Sequence, residues 1–377
     1  MSAPAVQRPR RTTARAAVRR SPSTPILVRQ LRNGIEESVH RGDIVEADAA
    51  GGLIRVLGDP DRMVTLRSTV KPFGVLALIE EGGIEAFDLG PAEIAILASS
   101  HSGEDLHVRT IQGIFRRVGI SQALLACGAE GMPLDPLTAA RLARDGEKAG
   151  PIRHMCSGQH AVSLLLSKLK GWEPEDYWQP SHPSQAAYRA AVARAFAVKP
   201  LDLHTAIDGC GIETYGFPLR EVARAYAMLA DPSGLPAKDP RRSLAASLTI
   251  VRDSMLAEPE MVAGRHDRLD TSLMKAAPGR VISKAGMEAL RGIAILAGPR
   301  PSRPIRARPA WPSRSRTATG TTAGRGRPRS RPCAKRASWT DRRSACWPVT
   351  TGRRSSTRTD ASGPRPWQSS NWRRWAS

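Results

Sequence analysis

The stretch STVKPFGVLALIEE, residues 68–81, decides how this chain is read. Its apolar positions recur at helical spacing. Pro72 falls in the first turn, where a missing N–H costs little. Ser68 and Lys71, three residues apart at the start of that helix, share one face. Outward toward the N-terminus, residues 25–60 alternate apolar pairs with turn signals at Asn33-Gly34 and Gly51-Gly52, which predicts a strand meander. Outward toward the C-terminus, IAILASSHS (94–102) predicts a buried strand that delivers a loop, and DLHVRTIQGIFRRVG after it has helical period. Residues 137–147, 159–170, 184–198, 221–231 and 241–264 predict further helices. Strands flanking a helix-rich middle make the class α+β, and there is no internal repeat.

The formal charge of +22 suggests a nucleic-acid binder until its distribution is examined. Residues 1–33 carry 8 Arg and no acid, and residues 301–377 carry 19 Lys and Arg against 2 Asp. The middle keeps 30 basic and 33 acidic residues, which is ordinary for a globular chain. No nucleic-acid partner is therefore expected. No run is long enough to span a membrane, so none is expected there either. Cys127, Cys156 and Cys210 in the middle are odd in number and widely spaced. That pattern is no disulfide framework and suits a reducing cytoplasm. The basic start lacks an apolar segment of the secretory kind and reads as a disordered extension over residues 1–24.

Past residue 300 the composition changes. Residues 301–377 contain no Leu, Glu, Phe or Tyr, yet hold six of the eight Trp. A disordered tail is poor in Trp, and a folded domain without Leu is hard to build. A shifted reading frame accounts for both. AWPSRSRTATGT (310–321), read from the third base of each codon, can give Met, then must give Ala, and can continue Val-Lys-Ile-Glu-Asp-Gly-Asp-Gly-Tyr. The expected organisation is thus an N-terminal extension (1–24), a catalytic domain incomplete at its C-terminal side (25–299), and an out-of-frame, disordered tail (300–377).

Five groups of residues can carry chemistry. In Ser68-Thr69-Val70-Lys71, a neutral Lys can take the Ser proton and make a nucleophile, provided that burial or a second cation lowers its pKa. The plain alternative is a surface Lys near a capping Ser. Ser99-Ser100-His101-Ser102 suits an active-site loop, or else an N-cap cluster. In His154–His160, the Gly after Cys156-Ser157 predicts a tight turn into a helix whose N-terminus favours thiolates and anions. Cys210, in Asp208-Gly209-Cys210-Gly211, can join Cys156 in a zinc site or be a second buried structural cysteine. Lys284, in Ser283-Lys284-Ala285-Gly286, is a second candidate base or an exposed loop lysine.

Taken in order, GIEESVHRG (34–42), LGDPDRMVTLRSTVKP (57–72), ASSHSGEDLHVRT (98–110), CSGQHAVSLL (156–165), DGCGIETYGFPL (208–219), EPEMVAG (258–264) and SKAGMEA (283–289) resemble the asparaginase II family of rhizobial-type L-asparaginases. The resemblance runs from about Pro25 to about Gly298. It implies a serine β-lactamase and penicillin-binding-protein fold of the glutaminase-like kind, with the tail outside it. It implies hydrolysis of L-asparagine to aspartate and ammonia. Ser68 with Lys71, and Ser100 with Lys284, match two catalytic Ser-Lys pairs. Arg67, His101, Asp208 and His160 match substrate-binding neighbours. Cys156 and Cys210 match thiols that bind zinc together with a Lys. Here Gln159 stands in place of that Lys, and an amide oxygen is the weaker zinc ligand. No cofactor is required by this scheme, zinc remains an option, and a homodimer is implied. The shifted phrase in 310–321 resembles one that the family carries after its lysine segment.

Three competing readings follow from the same residues. One is another Ser/Lys amidohydrolase, a glutaminase or a β-lactamase-like enzyme. The second is an inactive, truncated relic. The third is a basic nucleic-acid-binding protein, whose binding would fall steeply with salt.

Overall fold

A computed structural model describes residues 24–128 and 133–297, together with the backbone course of 316–323. The expected N-terminal extension and most of the expected tail lie outside the described residues. Nine strands are present among the described residues: β1 (Ile26–Arg32), β2 (Ile35–Asp48), β3 (Leu53–Leu57), β4 (Met63–Thr65), β5 (His204–Ile207), β6 (Glu213–Pro218), β7 (Val281–Ala285), β8 (Arg291–Ile295) and β9 (Arg316–Ala323). β1 and β2 form a hairpin over Asn33 and Gly34, at φ 47° and 82°. Two left-handed residues in a two-residue turn match the twist of the flanking strands. The meander read from the sequence is therefore real. The main sheet runs β1-β2-β9-β8-β7, with β3 also on β2, and its described pairings are antiparallel. β9 comes from the segment expected to lie outside the fold, and its backbone sits between β2 and β8. A smaller sheet runs β4-β6-β5.

The helices between the strands are α1 (Lys71–Gly74), α2 (Leu76–Glu80), α3 (Gly83–Phe87), α4 (Pro91–Leu97), α5 (Asp105–Val118), α6 (Pro136–Asp145), α7 (Ser157–Lys170), α8 (Pro183–Ala195), α9 (Leu219–Ala230), α10 (Ala245–Ala257), α11 (Pro259–Val262) and α12 (Leu269–Ala276). The α+β class holds. The helix expected over 68–81 is a 3-10 turn, Arg67–Val70, running on into α1 and α2. Among the described residues, no helix is long and apolar enough to cross a membrane.

One element differs in type. The run starting at Ile94, expected as a strand, lies in α4. Pro91 opens that helix, and the Glu93 carboxylate accepts the Gly90 N–H at 2.9 Å, which closes its first turn. Ile94, Ala95, Ile96 and Leu97 are all buried, so the run has no polar face to reveal a period. A fully buried helix and a buried strand then look alike in sequence. The loop that follows is still delivered, as expected, at 98–104.

Two close approaches bring the helices and the sheet to one point. Gly158 lies inside the first turn of α7 and against α4, where a Cβ would come within 2.1 Å of the Ile96 carbonyl oxygen. Its role is close helix packing rather than the tight turn read from the sequence. Gly292 in β8 leaves room for the Tyr226 ring from α9, and the Tyr226 hydroxyl donates to the Thr69 carbonyl at 2.8 Å. Phe73 meets that ring edge-on, with centroids 5.5 Å apart. The Ser68–Lys71 turn is thus held against the sheet through one tyrosine.

Gly158→Ala should destabilise the fold by about 2 kcal/mol, the usual cost of forcing a methyl into a packed contact. Thermal or urea unfolding measures this, and wild-type stability would refute the role assigned to Gly158.

Candidate active site

Three segments converge: the turn 67–71, the loop 98–104 and strand β7. Ser68, Lys71, Ser100 and Lys284 are all buried, with Lys71 at 1% and Lys284 at 0% exposure. Lys71 Nζ lies 3.2 Å from Ser100 Oγ, and Lys284 Nζ lies 2.8 Å from the same oxygen. Lys71 also reaches the Met155 carbonyl at 3.5 Å, and Lys284 reaches that of Ala285 at 2.7 Å. Among the described residues both lysine nitrogens therefore bond Ser100 and neither bonds Ser68. Ser100 thus stands at the centre of a row Lys71–Ser100–Lys284 that takes one lysine from each expected pair.

The loop is fixed from both sides of its peptide. Ser100 N–H donates to the Val262 carbonyl at 3.0 Å, and the Arg268 guanidinium donates to the Ser100 carbonyl at 2.8 Å. Burial, followed by the neighbouring Lys71 charge, holds the Lys284 amine well below its ordinary pKa. An ammonium at this depth lacks water, so the neutral amine is favoured.

Arg67 takes a left-handed backbone, φ 47°, directly before Ser68. A non-glycine residue there costs on the order of 1–3 kcal/mol unless its surroundings impose it. Its N–H donates to Thr214 Oγ1 at 2.9 Å, and its guanidinium pairs with Asp208. Asp208 also accepts the Gly209 N–H at 2.6 Å. Arg67 and Asp208, expected as substrate neighbours, thus form one ion pair beside the turn.

The two histidines expected to bind substrate are both buried, and both lie near enough to Lys71 to feel its charge. His101 is fully buried and stacks on His107, with centroids 4.8 Å apart. Its Nδ1 accepts the Gly103 N–H at 3.1 Å, and its Nε2 bonds Ser157 Oγ at 2.8 Å. Both ring nitrogens are committed to the protein, and burial keeps the ring neutral. His101 is therefore a brace between the 98–104 loop and α7. His160 is likewise fully buried, its Nδ1 is bonded to the Tyr177 hydroxyl at 2.5 Å, and its pKa is pushed down to about 3 by burial. The motif identified the residue types but not which way they point.

Cys156 and Cys210 are brought together. Their thiols share a hydrogen bond, which holds Cys156 well below the usual thiol range and raises Cys210. Gln159, the third expected metal ligand, is buried in the next turn of α7. The donors are two thiols and an amide. No His, Asp or Glu among the described residues joins the two thiols within the 4.8 Å that a shared ion requires. Two thiols and an amide are a poor donor set for zinc, and no step below runs through a metal. A different group, Glu104, Asp135 and His266, does have donor atoms that close. Its atoms bond inward. His266 Nδ1 meets Asp135 at 2.8 Å, Thr138 N–H donates to Asp135 at 2.7 Å, and Ser102 and Arg265 donate to Glu104 at 2.8 and 2.7 Å. The group ties the 98–104 loop to residues 264–266.

Thr214 and Arg268 escaped the sequence reading. Thr214 lies within the quoted phrase 208–219 but was not singled out there, Arg268 lies in none of the phrases, and each acts across more than a hundred residues of chain.

The family model for L-asparaginase II matches residues 28–302. The chain belongs to the asparaginase II family. Family members are amidohydrolases, and two lysines on one serine hydroxyl fit acyl-transfer chemistry. Among solved structures the chain is similar to Mglu in its native form, at 15% identity over 75% of this chain, with a TM-score of 0.32. It spans 59% of the Mglu chain. It is also similar to a probable glutaminase from Bacillus subtilis complexed with 6-diazo-5-oxo-L-norleucine, at 11% identity over 74% of this chain and 76% of that one, with a TM-score of 0.31. Both likenesses are distant. No curated protein matches the chain.

A buried amine with a lowered pKa weakens the fold wherever the unfolded chain would carry the proton. Lys284→Met should therefore stabilise the protein at neutral pH. The advantage should shrink by about 1.4 kcal/mol for each unit of pH rise between the folded value and the unfolded value near 10.4. Urea unfolding of both proteins from pH 6 to 10 measures it, and a constant difference would show that Lys284 is not held neutral.

Proposed function

We propose that this chain is an L-asparaginase, hydrolysing the side-chain amide of L-asparagine to aspartate and ammonia. The observation that carries this reading is the placement of Lys71 Nζ and Lys284 Nζ at 3.2 and 2.8 Å from Ser100 Oγ. A hydroxyl bonded to two amines in a dry site is suited to moving protons. Among the described residues Ser68 makes no such internal bond, which leaves its oxygen to meet the substrate. In this scheme Ser68 attacks the carboxamide carbon. Its proton leaves along Lys71, Ser100 and Lys284 and rests on Lys284, the amine that its surroundings keep neutral. The tetrahedral oxyanion requires donors aimed at it, and backbone N–H groups beside the attacking serine are the natural supply. Collapse expels ammonia, which takes its proton back along the same row. Water then attacks the acyl-Ser68 ester and frees aspartate. The Arg67–Asp208 pair lies next to Ser68 and offers a cation and an anion to the α-carboxylate and α-ammonium of an amino-acid substrate.

The domain limits belong to this reading: the expected catalytic unit of residues 25–299 is extended by strand β9, and the out-of-frame origin of 300–377 is carried as part of the proposal. A reducing, cytoplasmic setting and a homodimer belong to it as well.

Ser68→Ala and Ser100→Ala should each lower ammonia release from L-asparagine by at least about a hundredfold. Full activity in both variants would end the scheme, and an acyl group trapped on Ser100 by rapid quench and peptide mass spectrometry would exchange the two serine roles. L-Asparagine should be turned over faster than L-glutamine or a β-lactam. The reverse order would keep the Ser/Lys chemistry and replace the substrate.

A further inference from the structure

Asp270 lies one residue inside α12, is 2% exposed, and is held by donors from two strands. One carboxylate oxygen accepts Ser283 Oγ at 2.6 Å and also an Arg291 guanidinium N–H. The other accepts the Ala285 N–H at 3.0 Å. Arg291 Nη1 donates to Ser283 Oγ as well, at 2.9 Å, and Arg291 pairs with Ala285 across β7 and β8. One carboxylate therefore grips both residues that flank Lys284. Side chains alternate along a strand, so Ser283 points to the face opposite Lys284. The grip acts from behind and leaves the Lys284 amine free to reach Ser100.

Two residues earlier, Arg268 donates to the Ser100 carbonyl. The turn 268–270 thus holds both partners of the 2.8 Å bond between Ser100 and Lys284. We infer that Asp270 is a positioning residue for Lys284, and that the turn 268–270 sets the distance between this lysine and Ser100. The inference rests on the reading of Lys284 as the residue that finally holds the proton.

The clamp also has an electrostatic side. The charged and titratable groups facing Lys284 are Lys71 from α1, Arg268 before α12, Asp270 in α12 and Cys156 before α7. Lys71 and Arg268 push its pKa down, as burial does, while Asp270 and Cys156 push it up. Asp270 keeps the amine basic enough to take a proton. Loss of its charge makes Lys284 a weaker base and moves the pH at which it protonates downward.

The test is Asp270→Asn in the full chain, with pH profiles of kcat and kcat/KM for ammonia release, alongside Lys284→Met. Asp270→Asn should lower kcat by about ten- to a hundredfold, leave KM within about threefold, and move the acid limb of kcat/KM to lower pH by about one unit. Activity that falls only with the folded fraction, on an unmoved acid limb, would make Asp270 merely structural and overturn the inference. Should Asp270→Asn fail to fold, Ser283→Ala removes one arm of the grip and leaves its charge. A roughly tenfold lower kcat at unchanged KM then supports the inference, and wild-type kcat overturns it. Retained activity in Lys284→Met would instead remove the underlying reading of Lys284, whatever Asp270 does.

Discussion

Two amines and one hydroxyl share a dry site, and that constraint governs the rest of the molecule. An isolated ammonium taken from water into a protein interior is costly, so such a group either finds an anion or gives up its proton. At Ser100 the available acceptors are a hydroxyl and two peptide carbonyls, those of Met155 and Ala285. The nearby carboxylate, Asp270, stands behind the strand rather than in the row itself. Cys156, whose thiol is held well below its usual range, and Asp270 offset part of the positive charge, but burial and Lys71 prevail at Lys284 and leave that amine chemically available. The glycines at 158 and 292 and the tyrosine at 226 are the packing devices that force three distant segments to meet there.

The same constraint explains how little freedom the surrounding loop has. Residues 98–104 are tied through the Ser100 peptide, through the His101 ring, and through Glu104 with Asp135 and His266. The His101 ties are hydrogen bonds made away from water, where losing one partner costs more than the bond itself is worth. A serine held so firmly can keep two amines at bonding distance at once. Catalytic geometry of this kind tolerates errors of only about half an ångström.

The four central residues, Ser68, Lys71, Ser100 and Lys284, were legible because they sit in short phrases whose order along the chain is distinctive. Their convergence on Ser100 was not, since spacing places Ser68 beside Lys71 but says nothing about what approaches from elsewhere. His101 and His160 show a second limit: the sequence offers the residue type, and only the fold shows that both rings are buried and bonded to Ser157 and Tyr177. The helix beginning at Pro91 was misread because burial on all sides erases periodicity. Arg268 and Asp270 left no trace in their own neighbourhoods, and Thr214 was not singled out within its phrase, because each acts on a segment brought beside it only by the completed fold. Gln159 could be read as a departure from the zinc-binding pattern at once, because that argument needs only the donor chemistry of one side chain.

The place of β9 in the main sheet has a kinetic consequence. Its backbone lies between β2, near the start of the described chain, and β8, so that Ile44 and Arg291 both pair with Gly320. Contacts between residues so far apart must overcome a large loop-closure entropy before they return any stability, and chains dominated by them fold slowly. All of the helices precede β9 in the chain, although α4 with α10 and α1 with α8 also join segments more than a hundred residues apart. The central slot of the sheet fills last. Lys284 sits two strands from β9, so the last amine of the proton row is set in place only as that sheet closes. A growing chain would therefore possess most of its core well before it possesses its chemistry.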